Sequence, residues 1–146
     1  MPEQQTLERA REDAREGKSP STQAGEFVRE EIHHIREGKH GARSPQQAIA
    51  IGLSKARRAG IKLAAPKGSP STRKKAAQDE RAGKHPRRKT SKTRARATER
   101  ALKREPRSTA SQRLLSRQAT NAARKRGQAR SKAGLKAART RKHHSS

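Results

Sequence analysis

The sequence predicts an all-α protein: an amphipathic helical hairpin at about 20–37 and 45–59, followed by a largely disordered or fluctuating-helix basic tail. Three observations predict it. The same punctuation, Ser-Pro at the start and Gly at the end, brackets two segments. Both carry apolar residues at helical spacing. Charge and hydrophobicity are also divided unequally along the chain. Residues 1–65 hold 12 Lys and Arg against 9 Asp and Glu, a net of +3, whereas residues 66–146 hold 27 against 4, a net of +23. Ten of the large apolar side chains fall in the first part, and only Leu102, Leu114, Leu115 and Leu135 in the second.

The first segment, 1–18, reads as a charged helix from about residue 2 to residue 16, with Gly17 as its stop. Leu7 is its one large apolar residue, and an alternating-charge helix of this kind is usually solvated. Residues 19–63 are the hairpin domain. Ser19 caps, Pro20 takes the first helical position and Gly38 closes. Ala24, Phe27, Val28, Ile32 and Ile35 make the apolar stripe. Glu31 falls inside that stripe, where it is expected to reach the edge or pair with a nearby Arg. Glu26, Glu30 and Glu37 line the opposite face as an acidic stripe.

The second hairpin helix has the clearest signals. Ser44 is the N-cap, Pro45 sits at the first position, and Gln47 completes a capping box. Gly60 and Ile61 suit a Schellman stop. Ala48, Ile49, Gly52, Leu53, Ala56 and Ala59 share a face, with small residues every fourth position. Gly52 costs about 1 kcal/mol of helix propensity relative to Ala, which close approach of another helix would offset. The joining loop, residues 39–43, makes the two helices antiparallel neighbours. It is longer than the turn of a helix-turn-helix reader.

Residues 64–72 read as a linker and residues 73–146 as a polycationic tail. Within the tail, helical potential runs from Ser69-Pro70 to Gly83, over 92–105, from Ser108 to Gly127, and on to about 142. Isolated short helices without an apolar face are marginal in water, so fluctuating helices are expected. Low hydrophobicity (27%) with a net charge of +26 points the same way.

The composition excludes several classes. The chain has no Cys, hence no disulfide framework and no thiol nucleophile. The stretch MPEQQTLERARED has no apolar core, so no signal peptide is expected. No apolar run has the length of a membrane span. Phosphate-loop, HExxH and nucleophile-elbow motifs are missing. No enzyme and no cofactor are predicted. His33 and His34 are adjacent, point about 100° apart and cannot share a metal. With His40 they offer at most a weak site, so no metal ligand is assigned.

The tail carries the functional signal. The residues expected to contact nucleic acid are Arg57 and Arg58 on the hairpin, then Arg73, Lys74, Lys75, Arg87, Arg88, Lys89, Arg94, Arg96, Lys103, Arg104, Arg124, Lys125, Arg126, Arg139, Arg141 and Lys142. Spread cations suit a spread polyanion, because each one that neutralises a phosphate releases counterions without reading sequence. Phe27 is the only aromatic residue, so base-stacking recognition of single strands is disfavoured. Duplex DNA is expected before RNA. RNA or ribosome association and a hydrophilic stress-protectant role are the rival readings.

Ordering a lone hairpin costs more backbone entropy than its few apolar side chains return. A homodimer through Phe27, Ile32, Ile35, Ala48, Ile49, Gly52, Leu53 and Ala56, forming a four-helix bundle, is therefore expected.

Residues 47–60, QAIAIGLSKARRAG, resemble the signature of a family of small basic bacterial proteins of unknown function. Residues 25–44, GEFVREEIHHIREGKHGARS, and 96–111, RATERALKREPRSTAS, are similar to parts of the same family. Some members bear labels such as plasmid stabilisation, DNA-binding or histone-like protein. The resemblance implies a bacterial, intracellular setting and brings no catalytic residues; the DNA-binding reading makes the cytoplasm, at the nucleoid, the expected location.

Overall fold

The computed structural model describes residues 2–85 and 89–144, the last without its side chain. The described residues are helical or irregular, with no strand among them. The helices are α1 (Gln4–Arg15), α2 (Pro20–Glu37), α3 (Pro45–Arg58), α4 (Pro70–Lys84), α5 (Lys92–Lys103) and α6 (Gln112–His144), with a 3-10 turn at Ser108–Ala110 between the last two. The chain forms two units, residues 1–111 and residues 112–146.

Local chemistry sets the helix ends. The hydroxyls of Ser19, Ser44, Ser69 and Ser91 each accept a hydrogen bond from the backbone N–H three residues on, satisfying a donor that the first turn leaves unpaired. Gln47 reaches back, but to the N–H of Arg43 at 2.6 Å rather than to that of Ser44. Gly17, Gly38 and Gly60 are the described residues with positive φ. Each ends its helix in a Schellman turn. After α3, for example, Ile61 N donates to Ala56 O at 3.1 Å and Gly60 N to Arg57 O at 3.0 Å.

Helices α2 and α3 pack as an antiparallel hairpin around two small apolar clusters. Ala24 and Phe27 meet Ala56 at one end, with Leu7, Leu53, Ile61 and Leu63 packed around them. Ile35 meets Ala48, Ala42 and Ala110 at the other, with Ile32 beside them. Between the clusters the helices come close enough that a Cβ on Gly52 would stand 2.7 Å from Val28 Cα. The small-residue face of α3 is thus occupied by α2 of the same chain.

Several expectations change here. Helix α1 is not a solvated helix: Thr6, Ala10 and Asp13 form a buried face against α2. Their small side chains allow close packing without a large apolar stripe. Phe27, Ile35, Ala48 and Ala56 are at most 1% exposed within a single chain, Gly52 is buried against Val28, and Ile32, Ile49 and Leu53 are half-buried. The surface expected to form a dimer is therefore largely used within the chain, where α2 and α3 cover each other, with Ala10 of α1 closing one end and Ala110 the other. The acidic stripe is also consumed. Glu30 is buried and accepts a hydrogen bond from Glu3 N at 2.8 Å. Glu26 lies beside Arg9 and Arg29, and Glu37 beside His33 and Lys39.

The largely disordered tail is corrected as well. Helix α4 packs on α3. Residues 102–111 dock on the α2–α3 loop, where Gly41 N donates to Leu102 O at 2.8 Å and Ala42 N to Pro106 O at 3.1 Å. A Cβ at Gly41 would lie 1.9 Å from Glu105 O, so glycine is what permits the approach. Arg36 and Arg107 tie the same seam together through the carbonyls of Ala110, Ile35 and Arg36. Helix α6 runs unbroken through Gly127 and Gly134 for 33 residues. Each glycine costs about 1 kcal/mol relative to Ala, and the surrounding Ala, Arg, Lys and Gln residues are strong enough helix formers to carry the helix past them.

Candidate nucleic-acid interface

The cations assigned from sequence fall into three environments. The first surrounds Asp79 on α4, a carboxylate 2% exposed that the sequence reading missed. Its Oδ2 accepts from Ser54 Oγ at 2.7 Å, and its Oδ1 from Arg58 Nε at 2.8 Å and Lys75 Nζ at 2.9 Å. Burial pushes the Asp79 carboxyl up, but these three hydrogen bonds outweigh it and hold the group below its ordinary value. Arg58 and Lys75 therefore serve α4 docking. Arg57 donates to Ala64 O at 3.3 Å. Arg73 and Lys74 remain exposed on the outer face of α4.

The second environment is α5. It buries no residue. Lys89, Arg94 and Arg96 are exposed, as are Lys103 and Arg104. Lys103 pairs with Glu99 one turn earlier at 2.8 Å, an exposed pair that gives way readily to another anion. An open cleft lined by Ile51, Ser54, Lys75, Arg94, Thr98 and Leu102 separates α5 from α3 and α4. Arg87 and Arg88 lie outside the described residues.

The third is α6. Its sequence holds eleven Lys and Arg and no Asp or Glu. At about 1.5 Å per residue the helix is roughly 50 Å long. Arg124, Lys125, Arg126, Arg139, Arg141 and Lys142 are exposed, and at 100° per residue the cations surround the helix instead of forming one stripe. The hydroxyls of Thr120, Ser131 and Thr140 turn inward to the carbonyls of Ser116, Gly127 and Lys136. The outward face is left to the long cationic side chains.

A separate polar cluster lies inside the hairpin. Glu31, 1% exposed, sits one turn from both Phe27 and Ile35. Lys55 from α3 bonds to its Oε1. Its Oε2 has no hydrogen-bond partner, and His40 Nε2 stands 3.2 Å away. His34 Nδ1 lies 3.9 Å from Oε1. The expected Arg partner is a Lys, and the carboxylate does not reach the edge. The ligand atoms of Glu31, His34 and His40 all lie within 4.8 Å of one another, as do those of Glu3, Glu30 and His34. His33 points away, to Glu37 at 2.8 Å. The position of Glu31 within an apolar stripe was the sequence signal for this cluster. Nothing local marked Lys55 as its partner.

No protein-family model, curated protein or solved structure matches this chain.

Proposed function

We propose that this protein binds nucleic acid without reading base sequence, duplex DNA before RNA, in the manner of a nucleoid-associated or histone-like protein of the bacterial cytoplasm. The observation that carries the reading is α6, about 50 Å of helix with eleven cations and no carboxylate. Helix α5, with no buried residue, adds to it. A duplex presents one phosphate charge per roughly 1.7 Å of axis, so a helix of this length faces many phosphates at once. The cations encircle α6, which suits backbone contacts over a posed reading face. The resemblance of residues 47–60 to small basic bacterial proteins supports the same class. None of the described helices is long and apolar enough to cross a membrane. A hairpin dimer has no part in the proposal, because Phe27, Ile35, Ala48 and Ala56 are buried within one chain.

The test is a salt titration of the full chain against two duplexes of unrelated sequence and a structured RNA. With about ten phosphate contacts, log affinity falls against log salt with a slope of about −9. The two duplexes bind alike. Tighter binding to the RNA at every salt concentration assigns the protein to RNA or the ribosome. Weak, non-saturating binding to all three removes nucleic acid and favours a hydrophilic protectant.

A further inference from the structure

We propose that Glu31, His34 and His40 form a binding site for a divalent transition metal of the zinc class. The argument begins with the outer nitrogens of the two histidines. His40 Nδ1 is 2.9 Å from Gly41 O. A carbonyl only accepts, so Nδ1 carries the proton and the neutral ring keeps its lone pair on Nε2. His34 Nε2 is 2.9 Å from Glu3 Oε1, with Glu30 Oε1 at 3.8 Å. A carboxylate oxygen accepts. His34 Nε2 is thus the donor, and the neutral ring keeps its lone pair on Nδ1.

Both lone pairs face Glu31. His40 Nε2 stands 3.2 Å from Oε2, and His34 Nδ1 stands 3.9 Å from Oε1. Oε2 is buried without a hydrogen-bond partner. With both rings neutral, the two ring nitrogens and Oε2 have no hydrogen bond among them, because Lys55 satisfies only Oε1; a metal ion serves all three. Ligand bonds of about 2.0–2.1 Å at tetrahedral angles place neighbouring donor atoms about 3.3 Å apart. The 3.2 Å pair already has that spacing, and His34 Nδ1, within 4.8 Å of the other ligand atoms, has to move in to join it.

The chemistry of the set selects the metal. Two imidazoles and one carboxylate suit zinc and its neighbours, whereas calcium and magnesium prefer oxygen alone. Each imidazole is also oriented from behind, His34 by a carboxylate and His40 by a backbone carbonyl. That is the outer-shell pattern of metal-ligating histidines. Glu31 and His34 share one face of α2 as an i, i+3 pair. The Schellman turn at Gly38 brings His40 back over them. A metal here ties α2 to the loop whose Gly41 and Ala42 receive residues 102–106. Lys55 is the competitor: its ammonium neutralises Glu31 through Oε1, and the metal displaces it.

The experiment uses the full chain, stripped with chelator and titrated with Zn²⁺ alone. One equivalent is expected to remain after gel filtration, by elemental analysis. Long-range proton–nitrogen spectra of the imidazoles should show Nδ1 of His34 and Nε2 of His40 shifting on addition, with His33 unmoved. His40→Gln should lose the retained equivalent, Glu3→Gln should weaken binding about 10–100-fold, and Lys55→Met should tighten it. His33→Gln should change nothing. Failure of the wild-type chain to retain zinc overturns the proposal. So does retention that survives His40→Gln, or nitrogen shifts confined to His33, His143 and His144. The imidazole spectra are read on the wild-type chain, so they decide the matter even where a variant fails to fold.

Discussion

Helices α4 and α5 are alike in sequence and unlike in role. Each carries five Lys and Arg in fewer than sixteen residues, each starts at a capping serine, and neither has a large apolar stripe. Yet α4 packs on α3, while α5 has no fully buried residue and meets the rest of the fold only in its last turn, at Leu102. The difference is Asp79. A carboxylate on the inner face of α4 collects Ser54 and Arg58 from α3 and Lys75 from its own helix. The acid of α5, Glu99, bonds only one turn along its own exposed face. One well-placed carboxylate turns a basic helix into a packing element and spends two of its surrounding cations. Without one, the cations stay available to an outside polyanion.

The largest expected effect comes from the point where α4 crosses the end of α3. A Cβ at Gly83 would lie 2.4 Å from Arg57 O. Gly83→Leu should cost about 1–3 kcal/mol in urea denaturation, whereas Ala97→Leu on the open face of α5 should stay within about 0.5 kcal/mol. Equal costs would mean that α5 is packed as firmly as α4. Next, Asp79→Ala should cost about 1–2 kcal/mol and raise the amide exchange of α4, while Glu99→Ala should cost at most about 0.5 kcal/mol.

A smaller effect follows from pH. The folded Asp79 carboxyl is held below its ordinary value. Its contribution is therefore full above the ordinary carboxylate range, about pH 4, and is lost as pH falls through the lower folded value. The stability gap between wild type and Asp79→Asn, measured by thermal melts, should shrink on acidification. The matched gap for Glu99→Gln should be small at neutral pH, because the pair is exposed.

The sequence revealed the helices far better than their burial. Ser19, Ser44 and Ser69 announce their helices locally, because a cap is decided within four residues. The Schellman stops at Gly38 and Gly60 are equally local. Glu31 and Asp79 are not, because a carboxylate is buried only when a cation arrives from elsewhere in the chain, and Lys55 and Arg58 lie 24 and 21 residues away. The docking of residues 102–111 was hidden for another reason. Gly41, Ala42, Leu102 and Pro106 make the seam with backbone groups, which leave no side-chain signature. Ala110 joins the core as a single methyl group amid polar residues. Of the candidate interface, the cations themselves were legible. That Arg58 and Lys75 were already committed to Asp79 was not.

The central claim is that cations on the acid-free helix α6 hold phosphate and that those committed to Asp79 do not. The most direct measurement is the salt dependence of duplex binding for three full-length chains. Neutralising Arg124, Lys125 and Arg126 to Gln should make the slope of log affinity against log salt shallower by about 2.7, at roughly 0.9 per phosphate contact. Neutralising Arg58 and Lys75 to Gln should leave the wild-type slope unchanged. A slope that shifts with Arg58 and Lys75 and ignores Arg124, Lys125 and Arg126 would contradict the account.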